Sequence, residues 1–140
     1  MPGRSGAATV THDWVTKAES DLRAAVYLLE PRAGRPTEVV CFHAQQCAEK
    51  YLKALLISRG TDFPKTHDLE QLITLLPASL RPSLTVEEQR RMTGYATGAR
   101  YPGWPDIPLS EARRAVATAR RVRREIRRVL PREVLRRRTS

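Results

Sequence analysis

The sequence predicts an all-α fold, an up-and-down antiparallel bundle of four to five helices. Apolar residues recur at spacings of three and four through several long segments, which gathers them on one face of a 3.6-residue helix. Proline and glycine concentrate in a few short stretches, at Pro31–Pro36, Gly60–Pro64, Pro77–Pro82 and Gly98–Pro108, and leave the segments between them helical. No segment alternates apolar and polar residues over a useful length, so strands have no support. Short breaks between long amphipathic segments favour antiparallel neighbours.

The first helix is expected from about Asp13 to Leu29, with Trp14, Ala18, Leu22, Ala25 and Leu29 as its apolar stripe. The second is expected from Thr37 to Arg59, about 34 Å long at 1.5 Å per residue. Thr37 is its expected N-cap, Ala44, Cys47, Ala48, Tyr51, Leu52 and Leu55 its main apolar face, and Gly60 its stop. A short third helix from about His67 to Leu76 has Thr66 as its expected cap. The fourth opens on Thr85-Val86-Glu87-Glu88, a capping box in which Thr and Glu satisfy each other's orphan N–H groups. Its apolar pattern weakens beyond that start. The fifth is expected from Ser110, a good cap, to about Leu130, with Ala112, Val116, Ala119 and Ile126 on one face and arginines on the other. Pro131 ends it.

A chain of 140 residues with 41% hydrophobic content is one ordinary domain with enough core to fold unaided. No apolar run approaches the roughly 20 residues that a membrane-spanning helix needs. Residues 1–11 are rich in small and hydroxyl residues without an apolar core, which reads as a disordered leader rather than a signal peptide. The domain then covers 12–130, and 131–140 is a basic C-terminal tail. Cys41 and Cys47 lie about 120° apart on one helix and cannot bridge each other. Free thiols of this kind suit a cytoplasmic location and the role of small core residues.

The net charge of +10 is unevenly placed. Residues 110–140 hold twelve arginines against three glutamates, and the other 109 residues are close to neutral. The basic segment suits RNA, DNA or an acidic partner, or is simply a solvated helix face.

Three stretches can carry chemistry. His43, Gln46, Lys50 and Lys53 follow one another at three, four and three residues and so form a polar row beside the apolar face of the second helix. Such a row can hold a phosphate or a base edge, and its plain alternative is a solvated face; Glu49 can also pair with Lys53 at i, i+4. Lys65-Thr66-His67-Asp68 opens the third helix, where an anion is favoured, although cap and dipole roles explain Thr66 and Asp68 as well. Arg100-Tyr101-Pro102-Gly103-Trp104-Pro105-Asp106 is a stiff loop with an arginine that can clamp phosphate and aromatics that can stack a base or plug the bundle end. The sequence has no glycine-rich phosphate loop, no Gly-x-Ser-x-Gly and no zinc-spaced Cys/His set. His43 and Cys47, four apart, are too few for a metal site, and neither metal nor cofactor is expected.

The order Phe42-His43-Ala44-Gln45-Gln46, Glu49-Lys50, Leu52-Lys53-Ala54-Leu55-Leu56, then Phe63-Pro64-Lys65-Thr66-His67-Asp68-Leu69, then Ala99-Arg100-Tyr101-Pro102, resembles the HEPN family over about residues 12–130. The resemblance implies a homodimeric four- to five-helix bundle that binds nucleotide or RNA and is paired with a minimal nucleotidyltransferase in a toxin–antitoxin system. It also implies, in many members, a metal-independent ribonuclease. There an arginine stabilises phosphate charge and a histidine, four to six intervening residues further on, acts in general acid–base attack by the 2′-hydroxyl. Arg100 matches that arginine. Pro105, Asp106 and Ile107 stand where the histidine would fall after four, five or six intervening residues, and an acidic side chain there repels phosphate. His43 or His67 would then have to supply the base. The three stretches, taken with the resemblance, give His43, Gln46, Lys50, Lys53, Lys65, His67, Arg100 and Tyr101 as the expected nucleotide or RNA contacts, with Arg100, His67 and His43 as the catalytic candidates.

Overall fold

The structure, a computed structural model, describes residues 6–136. Six α-helices follow in order: α1 (Gly6–Leu28), α2 (Thr37–Ser58), α3 (Leu69–Thr74), α4 (Val86–Ala96), α5 (Leu109–Val129) and α6 (Arg132–Leu135). Short 3₁₀ turns at Pro31–Ala33, Ala78–Leu80 and Gly98–Arg100 fill three of the connections. No strand occurs among the described residues, and no described helix is long and apolar enough to cross a membrane.

The central element is α2, against which α1, α3, α4 and α5 all pack. Of its 22 residues, 14 are buried. Ala44, Cys47, Ala48 and Ala54 let neighbouring backbones approach closely, and Tyr51, Leu52, Leu55 and Leu56 fill the remaining volume. The flanking helices bring small residues of their own, Ala18 and Ala25 on α1 and Ala112, Ala115 and Ala119 on α5. Both cysteines are buried and free; burial pushes the Cys41 thiol up to about 12, where it is inert.

Several expected boundaries move, each for a tertiary reason. The helix expected from Asp13 begins at Gly6, so residues 6–11 are not a disordered leader; residues 1–5 lie outside the described part. Ala8, Thr11 and His12 are buried, and His12 Nδ1 lies 2.8 Å from the Val134 carbonyl oxygen. The cover comes from α6, which folds out of the expected basic tail and buries Val134 against the core; residues 137–140 lie outside the described part. The buried stripe of α1 is also rotated: Val15, Ala18, Asp21 and Ala25 are buried, while Trp14, Leu22 and Leu29 are only partly so.

Caps show the same pattern. Thr37 and Ser110 are inside their helices, whose N-caps are Pro36 and Pro108 without side-chain bonds. Asp68 rather than Thr66 caps α3, accepting from the Glu70 and Gln71 N–H groups, and α3 is accordingly shorter than expected. At α4 the capping box forms as read. Thr85 Oγ1 accepts from Glu88 N at 3.0 Å and Glu88 Oε1 accepts from Thr85 N at 2.9 Å. That backbone bond, opposed by some burial and reinforced by Arg121, holds the Glu88 carboxyl below the usual carboxylate value.

One polar cluster ties three helices together. Glu19 on α1 accepts from Arg123 Nε and Nη2 of α5 at 2.8 and 2.9 Å and from the Tyr51 hydroxyl of α2 at 2.7 Å. Arg127 Nη1 in turn donates to the Tyr51 oxygen at 3.1 Å. Burial works to raise the Glu19 pKa, but the hydrogen bonds from Arg123 and Tyr51 and the arginine charges outweigh it, and the net value lies below 4.5.

A carboxyl depressed on folding contributes stability that is complete above its unfolded value and is lost as pH falls through its folded value. Equilibrium unfolding in a pH series should therefore show stability falling on acidification below about 4.5, with a shallower fall in Glu19→Gln; parallel acid limbs would rule this cluster out as a source. Removing the capping hydroxyl in Thr85→Ala should cost about 1 kcal/mol in urea denaturation.

Candidate functional site

The polar row of α2 is not a free cationic face. Two carboxylates organise it. Asp21 occupies a position in the buried stripe of α1, so its charge needs partners, and α2 supplies them. His43 Nδ1 lies 2.8 Å from Asp21 Oδ1, and Lys50 Nζ donates to Oδ2 at 2.6 Å. The second carboxylate, Glu49, has a side chain only 4% exposed. It accepts from Lys53 Nζ at 2.9 Å and from the Gln45 and Gln46 amides at 3.2 and 3.3 Å, and His67 Nδ1 is 2.8 Å from Oε1. Gln45 also donates to the His67 carbonyl at 2.9 Å, which pins the loop before α3 onto α2. Every buried side-chain polar atom among the described residues has a partner.

Lys53 is the most enclosed of the row. Its ammonium is held by Glu49 and lies 5.5 and 5.7 Å from the ring centres of Trp14 and Phe63, which meet edge to face. Lys53 and Gln46 therefore serve the cluster around Glu49, whereas His43, Lys50 and the half-exposed His67 reach the surface. Lys65 is exposed, two residues before His67.

Arg100 ends the 3₁₀ turn that follows α4. Its guanidinium carbon sits 4.5 Å from the centre of the Phe42 ring, and Phe42 meets the His43 ring edge to face with centres 5.4 Å apart. Arg100, Phe42, His43, Asp21 and Lys50 thus form one continuous array across the 3₁₀ turn after α4, α2 and α1, with the exposed guanidinium at one end. Trp104 anchors the loop beyond. Its indole lies against Gly94 and Gly98, and a Cβ on Gly98 would fall 2.7 Å from the ring, so any larger residue displaces the indole. Trp104 therefore covers the end of α4, while the Tyr101 ring is 69% exposed beside Arg100.

The structure thus brings together Arg100 and His43, which are far apart in the chain, and keeps His67 on the neighbouring carboxylate, Glu49. Sequence reasoning missed Asp21, Phe42 and Gln45 as parts of the site. Asp21 carried a signal, an acid at three and four residues from Ala18 and Ala25 in a buried stripe. Phe42 stood only as the first residue of the motif run, because a lone aromatic beside an apolar face reads as core. Among the described residues no three His, Cys, Asp or Glu side chains converge into a metal cage. What the array offers is a planar cation with free donors, two imidazoles oriented by carboxylates, and aromatic faces. That combination suits phosphate and a flat base.

A helical bundle of this build, with a cationic and imidazole face across its longest buried helix, defines a class, and the comparisons give the family. The model of the HEPN domain matches residues 11–129, and the chain belongs to that family. The structure is similar to the crystal structure of TT1696 from Thermus thermophilus, with a TM-score of 0.68 and 28% identity over 84% of this chain and 96% of that one. It is also similar to the crystal structure of ST0689, an archaeal HEPN homologue, with a TM-score of 0.65 and 27% identity over 84% of this chain and 94% of that one. Comparison with curated proteins gave no match.

Glu49→Ala should leave the Lys53 ammonium buried without a counter-charge and cost about 3–5 kcal/mol in urea denaturation. Glu87→Ala, which breaks an exposed pair with Arg91, should stay within about 1 kcal/mol of the parent. Equal effects of the two would mean that Glu49 does not organise the face.

Proposed function

We propose that this HEPN protein binds nucleotide or RNA through the face that runs from Arg100 to His67, as a cytoplasmic homodimer paired with a minimal nucleotidyltransferase in a toxin–antitoxin type of system. The observation that carries the binding reading is the exposed Arg100 guanidinium stacked on Phe42 beside His43. No carboxylate of the described residues is ion-paired to it, so its forked donors are available to a phosphate. Tyr101 gives an adjoining face for a base, and Lys50, paired with Asp21, together with the exposed Lys65 and His67 of the connection before α3, adds donors to the face. Lys53 and Gln46 act one layer below, holding Glu49 and, through it, His67. Exposed apolar side chains in the Arg100 loop, Tyr101 and Trp104, and at the start of α2, Val39, support a second copy packing beside the site.

A second reading is a metal-independent ribonuclease with a displaced histidine. It is favoured by the contact chain that joins Arg100 to His43 through Phe42, and by the bond from His43 Nδ1 to Asp21. A carboxylate that fixes one ring nitrogen leaves the other to move a proton. In that role His43 would take the 2′-hydroxyl proton as that oxygen bonds to phosphorus and the 5′-oxygen of the next nucleotide leaves, taking a proton from the His43 imidazolium or water, while Arg100 stabilised the charge on the phosphoryl oxygens. His67 is held by Glu49 in the same fashion.

The test is binding and cleavage of tRNA and total RNA in EDTA. Arg100→Ala should weaken RNA or nucleotide binding by about tenfold or more, the scale of losing a hydrogen bond to a charged group. Unchanged affinity would sink the binding reading. Cleavage by the parent that survives both His43→Ala and His67→Ala would end the displaced-histidine reading.

A further inference from the structure

A wide groove of about 1080 Å³ runs between α1 and α5. It uses the α1 face of Glu19, Val26 and Tyr27, which is not the face that presents Asp21 to α2. Six arginines line it, Arg23 from α1 and Arg120, Arg123, Arg124, Arg127 and Arg128 from α5, against only Glu19 and Glu30. Arg123 is consumed by its paired bonds to Glu19, and Arg127 by Tyr51 and Glu19. Arg120, Arg124 and Arg128 are exposed, and no salt bridge among the described residues neutralises them. They stand four and four residues apart, so they form one row with a step of about 6 Å along the helix. Across the groove from them the Tyr27 ring is 68% exposed.

We infer that this groove is a second anion site that tracks the backbone of single-stranded RNA, with successive phosphates on Arg120, Arg124 and Arg128 and a base against Tyr27. The chemistry of the lining selects that ligand over an acidic protein segment. All twelve basic residues of the last 31 are arginine and none is lysine, and the guanidinium fork matches phosphate and stacks on bases, which an ammonium does not. Beside the arginines the lining holds Tyr27 and the apolar side chains of Leu22, Val26 and Leu135, the last three partly packed on the core. A sugar–phosphate chain needs a row of charges and a stacking face, and the groove supplies both. The inference shares its ligand class with the reading of the Arg100 face as an RNA site, but it rests on different residues and can fail separately.

The experiment is fluorescence anisotropy of a labelled single-stranded oligoribonucleotide across a salt series, with AMP binding measured in parallel by calorimetry. The proteins are the parent, the triple variant Arg120→Ser/Arg124→Ser/Arg128→Ser, Tyr27→Ala and Arg100→Ala. Each phosphate contact contributes about 0.7 to the slope of log affinity against log salt in single strands. The triple variant should therefore lose about 2 from that slope and bind the oligonucleotide at least tenfold more weakly at low salt, while AMP binding stays at the parent level. Tyr27→Ala should weaken binding with the slope unchanged. All three arginines are exposed, so parent-like circular dichroism is expected of the triple variant. A triple variant with parental affinity and slope overturns the inference, and capture of an acidic polypeptide by the parent but not by that variant would do the same. Absence of AMP binding in every protein, with the slope change retained, would remove the Arg100 reading and leave the groove standing.

Discussion

The buried Glu49 carboxylate is the constraint around which this molecule is arranged. A charge at that depth is tolerable only when every lone pair is used, and Glu49 sits in the helix that all the major elements surround. Lys53, one turn on, supplies the counter-charge; Gln45 and Gln46, one turn back, supply amide donors; His67 reaches in from the loop before α3. Because Gln45 also holds the His67 backbone, satisfying one carboxylate fixes where the α2–α3 connection lies. Asp21 repeats the device on the other side of the row, joining α1 to α2 through His43 and Lys50.

These two acids convert what would be a repulsive run of cations into an ordered face. Lys50 and Lys53 sit almost one turn apart on one helix beside two imidazoles, and the carboxylates make that arrangement stable without ligand. Arg100 lies where that compensation stops, and it leans on the quadrupole of Phe42 instead of on an acid. Aromatic support of this kind steadies a guanidinium without occupying its hydrogen-bond donors. Close packing shapes the adjoining loop as well: Gly94 and Gly98 let Trp104 lie flat on the helix end, and the loop that carries Arg100 is stiffened by that contact together with its prolines.

Six of the arginines of α5 divide between two tasks. Those at Arg121, Arg123 and Arg127 hold the bundle by bonding to Glu88, Glu19 and Tyr51. Those at Arg120, Arg124 and Arg128 project into solvent. The helical repeat alone produces the separation, since residues one apart point about 100° from each other. The strongly basic segment is therefore neither wholly structural nor wholly a solvated surface.

Short motif runs carried the resemblance to the family, and apolar periodicity and breaker placement were enough to determine an all-α bundle, the start and capping box of α4 and the course of α2. Local physics governs all of these: a capping box closes within four residues, and a helical stripe repeats every turn. Tertiary structure decided the remainder. The first turns of α1 are ordered because α6, from the far end of the chain, covers them, a contact that a run of Gly, Ala and Thr does not announce. The same holds for the site. Periodicity placed His43, Gln46, Lys50 and Lys53 in one row, but which of them meet solvent depends on where Asp21 of α1 comes to rest, and on the Glu49 cluster. That Arg100 joins His43 through Phe42 depends on how the end of α4 docks on the start of α2. Such contacts are set by packing between distant segments, whose outcome no local pattern encodes.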